Sequence, residues 1–314
     1  SLCTGLVAGA VGLVGRGDLA PSRDQARSSA EAAPTLSLRL VGQAGGPVHA
    51  VHAEPARQLL LLGAGQGVTV LADDPQAGGQ VLGRSEPLGA AVLGLAGGAD
   101  RTLARLAAAP WLAALDLGDP ARPARLPYAF DAVGPVRDAL RDGDRLYLTD
   151  GGGGLLGYRW AQGQAPEVAW RLALGAEVSQ LATLPIQGRR LLLAAAGPGG
   201  LLVLDVSADG PPTQLARVPG DVVGVTASGR LAFLAQRDAN GGGAAPRLAI
   251  YDLTRPGNPL RIVEPRPDLT VGTRLTSDGV LLYSCAGSPP QLEAIDVRSP
   301  NQPRRRGFSD EPPA

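Results

Sequence analysis

The stretch Gly200-Leu-Leu-Val-Leu-Asp205-Val-Ser207 decides the fold, because the chain repeats it. An apolar run ends on an aspartate, a Pro-rich turn follows, and Gln214-Leu-Ala-Arg-Val218 closes the unit. Leu248-Ala-Ile-Tyr-Asp252 leads in the same way to Arg255-Pro-Gly-Asn-Pro259 and Leu260-Arg-Ile-Val263. Leu292-Glu-Ala-Ile-Asp296 precedes Ser299-Pro-Asn-Gln-Pro303, and Trp111-Leu-Ala-Ala-Leu-Asp116 precedes Asp119-Pro-Ala-Arg-Pro123. Two weaker copies keep the register without the aspartate: Gly67-Val-Thr-Val-Leu-Ala72 and Gly154-Leu-Leu-Gly-Tyr-Arg159. The marker positions Ala72, Asp116, Arg159, Asp205, Asp252 and Asp296 lie 44, 43, 46, 47 and 44 residues apart. A period of about 45 residues is that of a four-stranded propeller blade.

The unit around Asp205 parses into four strands: Val178–Leu184, Arg190–Ala195, Leu201–Val206 and Gln214–Val218. Its middle strands are continuous apolar runs, as strands packed on both faces require. Its last strand mixes Arg and Gln with apolar residues, as an edge facing water does. The expected fold is therefore all-β: a six-bladed β-propeller of four-stranded blades over residues 35–314, preceded by an amino-terminal segment, 1–34. Thr35-Leu-Ser-Leu-Arg-Leu-Val41 reads as an outer strand that clasps the last blade. Arg304-Arg-Arg-Gly-Phe308 competes for that place, and the sequence leaves the choice open.

The pattern of strand, Asp-Val-Ser and Pro-x-x-Pro after Gly-Leu resembles the LVIVD-repeat family of bacterial and archaeal propellers. Gly199–Ser207 is the nearest copy, and Arg145-Leu-Tyr-Leu-Thr-Asp-Gly-Gly152 is similar to the family's second strand and turn. The resemblance covers residues 47 to about 307. It departs at Ala72, at Arg159 and at the Gly-rich insert Asp238-Ala-Asn-Gly-Gly-Gly243. It implies a propeller that is exported or surface-attached, and it implies no reaction.

Composition narrows the function classes. Lys+Arg and Asp+Glu are both 29, so the net charge is +0 and the basic face that nucleic-acid binding needs is missing. Every cationic residue except the histidines is Arg, which fits a GC-rich genome. Residues 2–14 are apolar and uncharged, too few to span a bilayer as a helix. Their length suits the apolar core of an export signal, and 16–35 has linker composition. An extracytoplasmic location follows as an expectation. So do monomeric behaviour and a protein or cell-envelope partner, with no membrane span in the propeller. Cys3 and Cys285 make no disulfide framework; Cys285 reads as a small core residue of an apolar strand.

Four of the six repeats end on an aspartate, and a feature so often repeated suits a turn better than a reaction. Asp116, Asp205, Asp252 and Asp296 are expected to accept backbone N–H groups in the turns they open. The two histidines, His49 and His52, lie on the innermost strand of the first blade. A spacing of three places them on opposite faces, so one is expected to look into the central channel. Arg137, Asp138, Ser179, Gln180, Thr226 and Arg274 fall on the other inner strands. No set of oxygen ligands converges there, so neither metal nor cofactor is expected. Trp111, Trp160 and Trp170 sit at strand ends and read as packing between blades rather than sugar platforms.

Turns between second and third strands share a rim with the loops between blades, where propellers expose a broad concave surface. Polar residues on those turns include Gln66, Asp150, Arg237, Asp238, Asn240 and Gln291. The candidate binding residues are His49, Arg137, Asp138, Asp150, Arg237, Asp238 and Asn240. The competing expectation is an enzyme at the channel mouth, a lactonase-like hydrolase or a quinone-dependent dehydrogenase. That reading needs an acid or base with a partner inside the channel.

Overall fold

The computed structural model describes residues 48–73, 79–98, 100–132, 134–238, 245–286 and 291–306. The amino-terminal segment, Cys3, the Thr35–Val41 strand, Asn240 and Phe308 lie outside the described residues.

The described chain is six four-stranded antiparallel sheets, each built from consecutive strands. Blade one contains β1 (Val48–Glu54), β2 (Leu59–Ala64), β3 (Gly67–Ala72) and β4 (Val81–Arg84). Blade two contains β5 (Val92–Gly98), β6 (Arg101–Leu106), β7 (Leu112–Asp116) and β8 (Ala124–Arg125). Blade three contains β9 (Ala139–Asp142), β10 (Arg145–Asp150), β11 (Gly154–Arg159) and β12 (Glu167–Ala173). Blade four contains β13 (Gln180–Ile186), β14 (Arg189–Ala195), β15 (Leu201–Asp205) and β16 (Thr213–Val218). Blade five contains β17 (Asp221–Ser228), β18 (Leu231–Arg237), β19 (Arg247–Asp252) and β20 (Leu260–Val263). Blade six contains β21 (Leu275–Ser277), β22 (Leu281–Ala286), β23 (Gln291–Asp296) and β24 (Arg304–Arg306).

The six marker residues are the last residues of β3, β7, β11, β15, β19 and β23. The repeat therefore tracks the third strand of every blade. The fourth place in the last sheet is filled by β24 from the carboxyl end. Among the described residues, no helix is long and apolar enough to cross a membrane.

The core lies between blades. Strand alternation sends neighbouring residues to opposite faces, so one sheet feeds two interfaces. Leu191, Leu193 and Val203 of blade four pack with Val225 and Leu234 of blade five. Leu192, Ala194 and Leu204 turn the other way, against Tyr147 and Leu155 of blade three. Each fully buried Leu or Val contributes about 1.5–3 kcal/mol, which one blade alone cannot obtain. Leu281, Tyr283 and Ala294 form a separate, small cluster on one face of blade six.

The tryptophans belong to this packing. Trp160 is fully buried, edge-on to Tyr128 at 6.4 Å and to Phe130 at 6.2 Å. Trp170 lies over its cross-strand partner Gly157, where a Cβ would meet the indole ring. Trp111 is partly buried against the cluster between blades two and three.

The aspartates have a local role that repeats. Asp116 Oδ1 accepts the Gly118 N–H at 2.7 Å, Asp205 Oδ1 the Ser207 N–H at 3.0 Å. Asp252 Oδ1 accepts the Thr254 N–H at 2.7 Å, and Asp296 Oδ1 the Arg298 N–H at 3.1 Å. All four hold the turn two residues on.

Candidate functional site

First strands of the six blades surround the axis and line a cavity of about 350 Å³. Apolar groups line it all round, among them Val51, Leu93, Leu95 and Leu140 of blades one to three and Leu181, Val225 and Leu275 of blades four to six. Thr183, Thr226 and Thr276 of blades four to six add hydroxyls, and His49, His52 and Arg141 add polar groups opposite them.

Both histidines are among the lining residues. This corrects the expectation from strict alternation. The β1–β2 pairing shifts register between Val48 and Ala50, so His49 occupies a β-bulge and resets the alternation. Burial pushes the His52 imidazole below its ordinary value. The same kind of bulge falls at Leu93 of blade two and Val223 of blade five.

Where the inner strands begin, charged groups converge. Thr149 Oγ1, on β10, accepts both the Arg137 and the Asp138 N–H at 2.9 Å and fixes the approach to β9. Asp138 then uses both oxygens. Its Oδ2 accepts the Leu181 N–H of blade four at 2.8 Å, and its Oδ1 accepts Arg274 Nη1 at 2.8 Å. Arg274 Nη2 also donates to the Arg137 carbonyl at 2.8 Å. Arg274 precedes β21 of blade six, and Asp138 precedes β9 of blade three. Blades three and six face each other across a six-membered ring. The Arg274–Asp138 pair is therefore a bar across the channel mouth.

Arg105 reaches the same place from the second strand of blade two. It pairs with Gly94 across the β5–β6 ladder, and its guanidinium lies over that glycine. A Cβ at position 94 would stand 2.7 Å from Arg105 Nε, so only glycine leaves the passage open. Nη2 donates to the Leu93 carbonyl at the bulge at 2.8 Å, and Nη1 to the Val136 carbonyl at 3.0 Å. Among the described residues no carboxylate forms an ion pair with it. Burial, and next the neighbouring Arg274 charge, pull the Arg105 guanidinium down to about 10. Arg137 turns outward to Glu177, Nη2 to Oε2 at 2.8 Å.

The mouth thus gathers three guanidiniums against two carboxylates. Gln180 braces it from one side. Its Nε2 donates to the Leu275 carbonyl at 2.9 Å, and its Oε1 accepts the Val225 N–H at 3.1 Å. One buried amide so ties the inner strands of blades four, five and six.

The structure brings His49 and Asp138 together on the channel and leaves Arg137 on its rim. Asp150 ends β10, on the same rim. Arg237 and Asp238 stand away from the axis, at the end of the second strand of blade five. Arg237 pairs with Asp221 at 3.7 Å and Asp238 with Arg247 at 2.9 Å. Arg274 had been placed on an inner strand by sequence, but its reach to the opposite blade had not. Arg105 was missed. Its signal is a glycine opposite an arginine, which means something only once the β5–β6 register is known. Among the described residues no three His, Cys, Asp or Glu side chains are grouped to hold a metal.

No family model matches the chain, and no curated protein matches it. Solved structures do. A candidate 6-phosphogluconolactonase from Bacteroides uniformis is 13% identical with TM-score 0.66, over 81% of this chain and 82% of that one. Its counterpart from Bacteroides fragilis is 13% identical with TM-score 0.63, over the same shares, 81% and 82%. The computationally designed Ika8 protein is 12% identical with TM-score 0.58, over 79% of this chain and 70% of its own. At such identities the likeness shows the fold alone.

Proposed function

We propose that this chain is a binding propeller of the cell exterior or envelope, of LVIVD-repeat type. It takes a protein or envelope component on the rim where the inner strands begin. One observation carries the reading: guanidiniums outnumber carboxylates at that mouth, with Arg137 turned outward from it. A net positive charge at a concave mouth attracts an acidic partner and orients it. The repeat resemblance and the apolar start of the chain support export.

The competing reading is an enzyme, and two structural neighbours are candidate 6-phosphogluconolactonases. An enzyme at this mouth needs a base free to take a proton. Asp138 accepts from Leu181 and from Arg274, one bond on each oxygen, and is held in place by both. His49 and His52 also line the channel, and among the described residues neither is hydrogen-bonded to an acid or a nucleophile. That favours the binder.

The test uses the immobilised chain and an envelope fraction of the source cells. Arg137→Glu reverses an exposed charge on the proposed face, and Arg255→Glu does so on the Pro-rich rim. Partners retained by the wild type should be lost with the first variant and kept with the second. The opposite pattern places the docking face on the other side of the disc.

A further inference from the structure

The same mouth opens onto a cavity whose polar groups say more about what enters it than the rim does. Arg105 and Arg274 meet the cavity at one end. Below them, Thr183, Thr226 and Thr276 line the side made by blades four to six. Among the described residues none of these three hydroxyls has a hydrogen-bond partner, so each is available to a guest. The facing side carries Val51, Leu93 and Leu95 together with His49, His52 and Arg141. The volume, about 350 Å³, is within the range of small-molecule sites, and at about 30 Å³ per water-sized group it holds roughly ten such groups.

Charge sets the sign and number. Arg137 is matched by Glu177, and Arg274 by Asp138. Arg105 gives one hydrogen from each Nη to the Val136 and Leu93 carbonyls, which carry no formal charge, and keeps its other N–H groups. The mouth is left one positive charge in excess, half-buried where solvent screens it less than at the open surface. A single carboxylate balances that excess. A phosphate monoester, which carries about −1.5 to −2 at neutral pH, exceeds it.

We propose that the channel is a site for a small hydroxylated monocarboxylate. Its carboxylate sits on the guanidiniums of Arg105 and Arg274, and its hydroxyls face Thr183, Thr226 and Thr276. The Arg274–Asp138 bar then serves as the entrance. The incoming carboxylate shares Arg274 with Asp138, exchanging part of one charged hydrogen bond for another. The inference rests on the mouth being a binding face, and not on which macromolecule docks there.

Four probes separate the parts of the claim in calorimetric titrations at pH 7. Threonate carries one carboxylate and three hydroxyls. Butyrate keeps the chain length and the charge without the hydroxyls. Erythritol keeps hydroxyls without the charge, and inorganic phosphate tests the anion alone. Wild-type protein is expected to bind threonate at least tenfold more tightly than any of the other three. Thr226→Val preserves shape and removes one hydroxyl. It should weaken threonate several-fold, leave butyrate unchanged and leave macromolecular capture on the rim intact. Arg105→Gln should weaken threonate and butyrate together by tenfold or more. Should that variant misfold by circular dichroism, Arg105→Lys, which keeps the charge but not the paired donors, is expected to lose most of the affinity.

Threonate and butyrate binding alike, with Thr226→Val unaltered, overturns the hydroxyl half of the claim. No threonate binding to folded wild type at tens of millimolar overturns all of it. If capture persists in that case, the rim reading stands while this one falls. If threonate binds but Arg137→Glu leaves capture unchanged, the rim reading falls and this one stands.

Discussion

The two faces of the disc use arginine in opposite ways. On the face where first strands end, arginines satisfy carbonyls of the next blade. Arg57 Nη1 donates to the Leu117 carbonyl at 2.6 Å. Arg101 Nη1 donates to the Ala161 and Gln164 carbonyls at 3.2 and 3.0 Å. Arg145 donates to the Val206 carbonyl, and its Nη2 to the Ser207 carbonyl at 3.1 Å. Each arginine stands 44 residues after the last, and each grips the turn that follows the third strand of its neighbour. Arg141 joins them, stacked on Trp160 at 4.9 Å and donating to the Arg101 carbonyl at 3.0 Å. On the other face, Arg105, Arg137 and Arg274 come from three blades without a period and meet at the axis. Periodic arginines build the ring, and aperiodic ones furnish its mouth. The lesson is that position relative to the repeat separates charge that ties blades together from charge gathered at the mouth when residue type does not.

Removing a periodic arginine should have the largest effect on stability. Arg101 is 8 % exposed. Arg101→Ala leaves two turn carbonyls without their donor and Asp100 with Arg141 alone, and should cost about 3 kcal/mol in chemical denaturation. Channel ligands should bind as before. A loss below about 1 kcal/mol would mean that the clamp does not hold the blades together.

Next in size are the turn aspartates. Arg298 and Arg306 side chains, with the Arg298 N–H, hold the Asp296 carboxyl well below the usual range, against the effect of burial. Hydrogen bonds from Ser207 and Arg189 hold Asp205 down in the same sense. A carboxylate with a depressed folded value stabilises the protein fully above its ordinary value and less as the pH falls through the folded one. Stability should therefore drop below about pH 4. Asp296→Asn should lower stability at pH 7 by about 1–3 kcal/mol and flatten that acid limb. Asp205→Ala should cost about 0.5–2 kcal/mol with no change in any ligand affinity. Equal stability with lost binding would move the aspartates from the turn to the site.

How far the sequence reached follows from these same residues. The third strands were legible to the residue, because Asp116, Asp205, Asp252 and Asp296 report a local bond to the residue two ahead. Local bonds leave local patterns. The mouth was legible only in pieces. Asp138 and Arg274 are 136 residues apart in the chain and meet only because the ring closes. His49 was assigned to one face by an alternation that its bulge interrupts. Arg105 sits on a second strand and reaches the axis through a gap that only Gly94 provides. Contacts across the ring carry no period, so no repeat announces them.

A smaller effect is expected at the far end of the channel. His52 rests over Gly97, with Nε2 4.0 Å from Glu54 Oε2. Burial lowers its folded value, so the neutral ring is the form the fold prefers. Its contribution is present above the ordinary histidine value near 6.5 and is lost as the pH falls below it. Wild-type protein should lose stability from this group between pH 7 and 5, and His52→Gln should remove that slope. A slope unchanged in the variant would assign it elsewhere.

The smallest effect on stability should come from the outermost pair of the mouth, and it is the sharpest test of the two uses of arginine. Arg137 and Glu177 side chains are 56% and 63% exposed, so their 2.8 Å contact is made in water. Exposed pairs are worth about 0–1 kcal/mol, much of the attraction being offset by the ordering of two long side chains. Replacing both, Arg137→Gln with Glu177→Gln, should change the unfolding free energy by less than about 0.5 kcal/mol. The net charge of the mouth is unaltered by that double change, so a channel monoanion should bind as before. Arg137→Gln alone leaves Glu177 unmatched and removes the excess positive charge. That single change should weaken anion binding, most at low salt, where charges beyond contact distance still act. Restoration of affinity by the second substitution would show that the mouth acts through its net charge. A single variant with unaltered affinity at low salt would instead confine the anion's partners to Arg105 and Arg274.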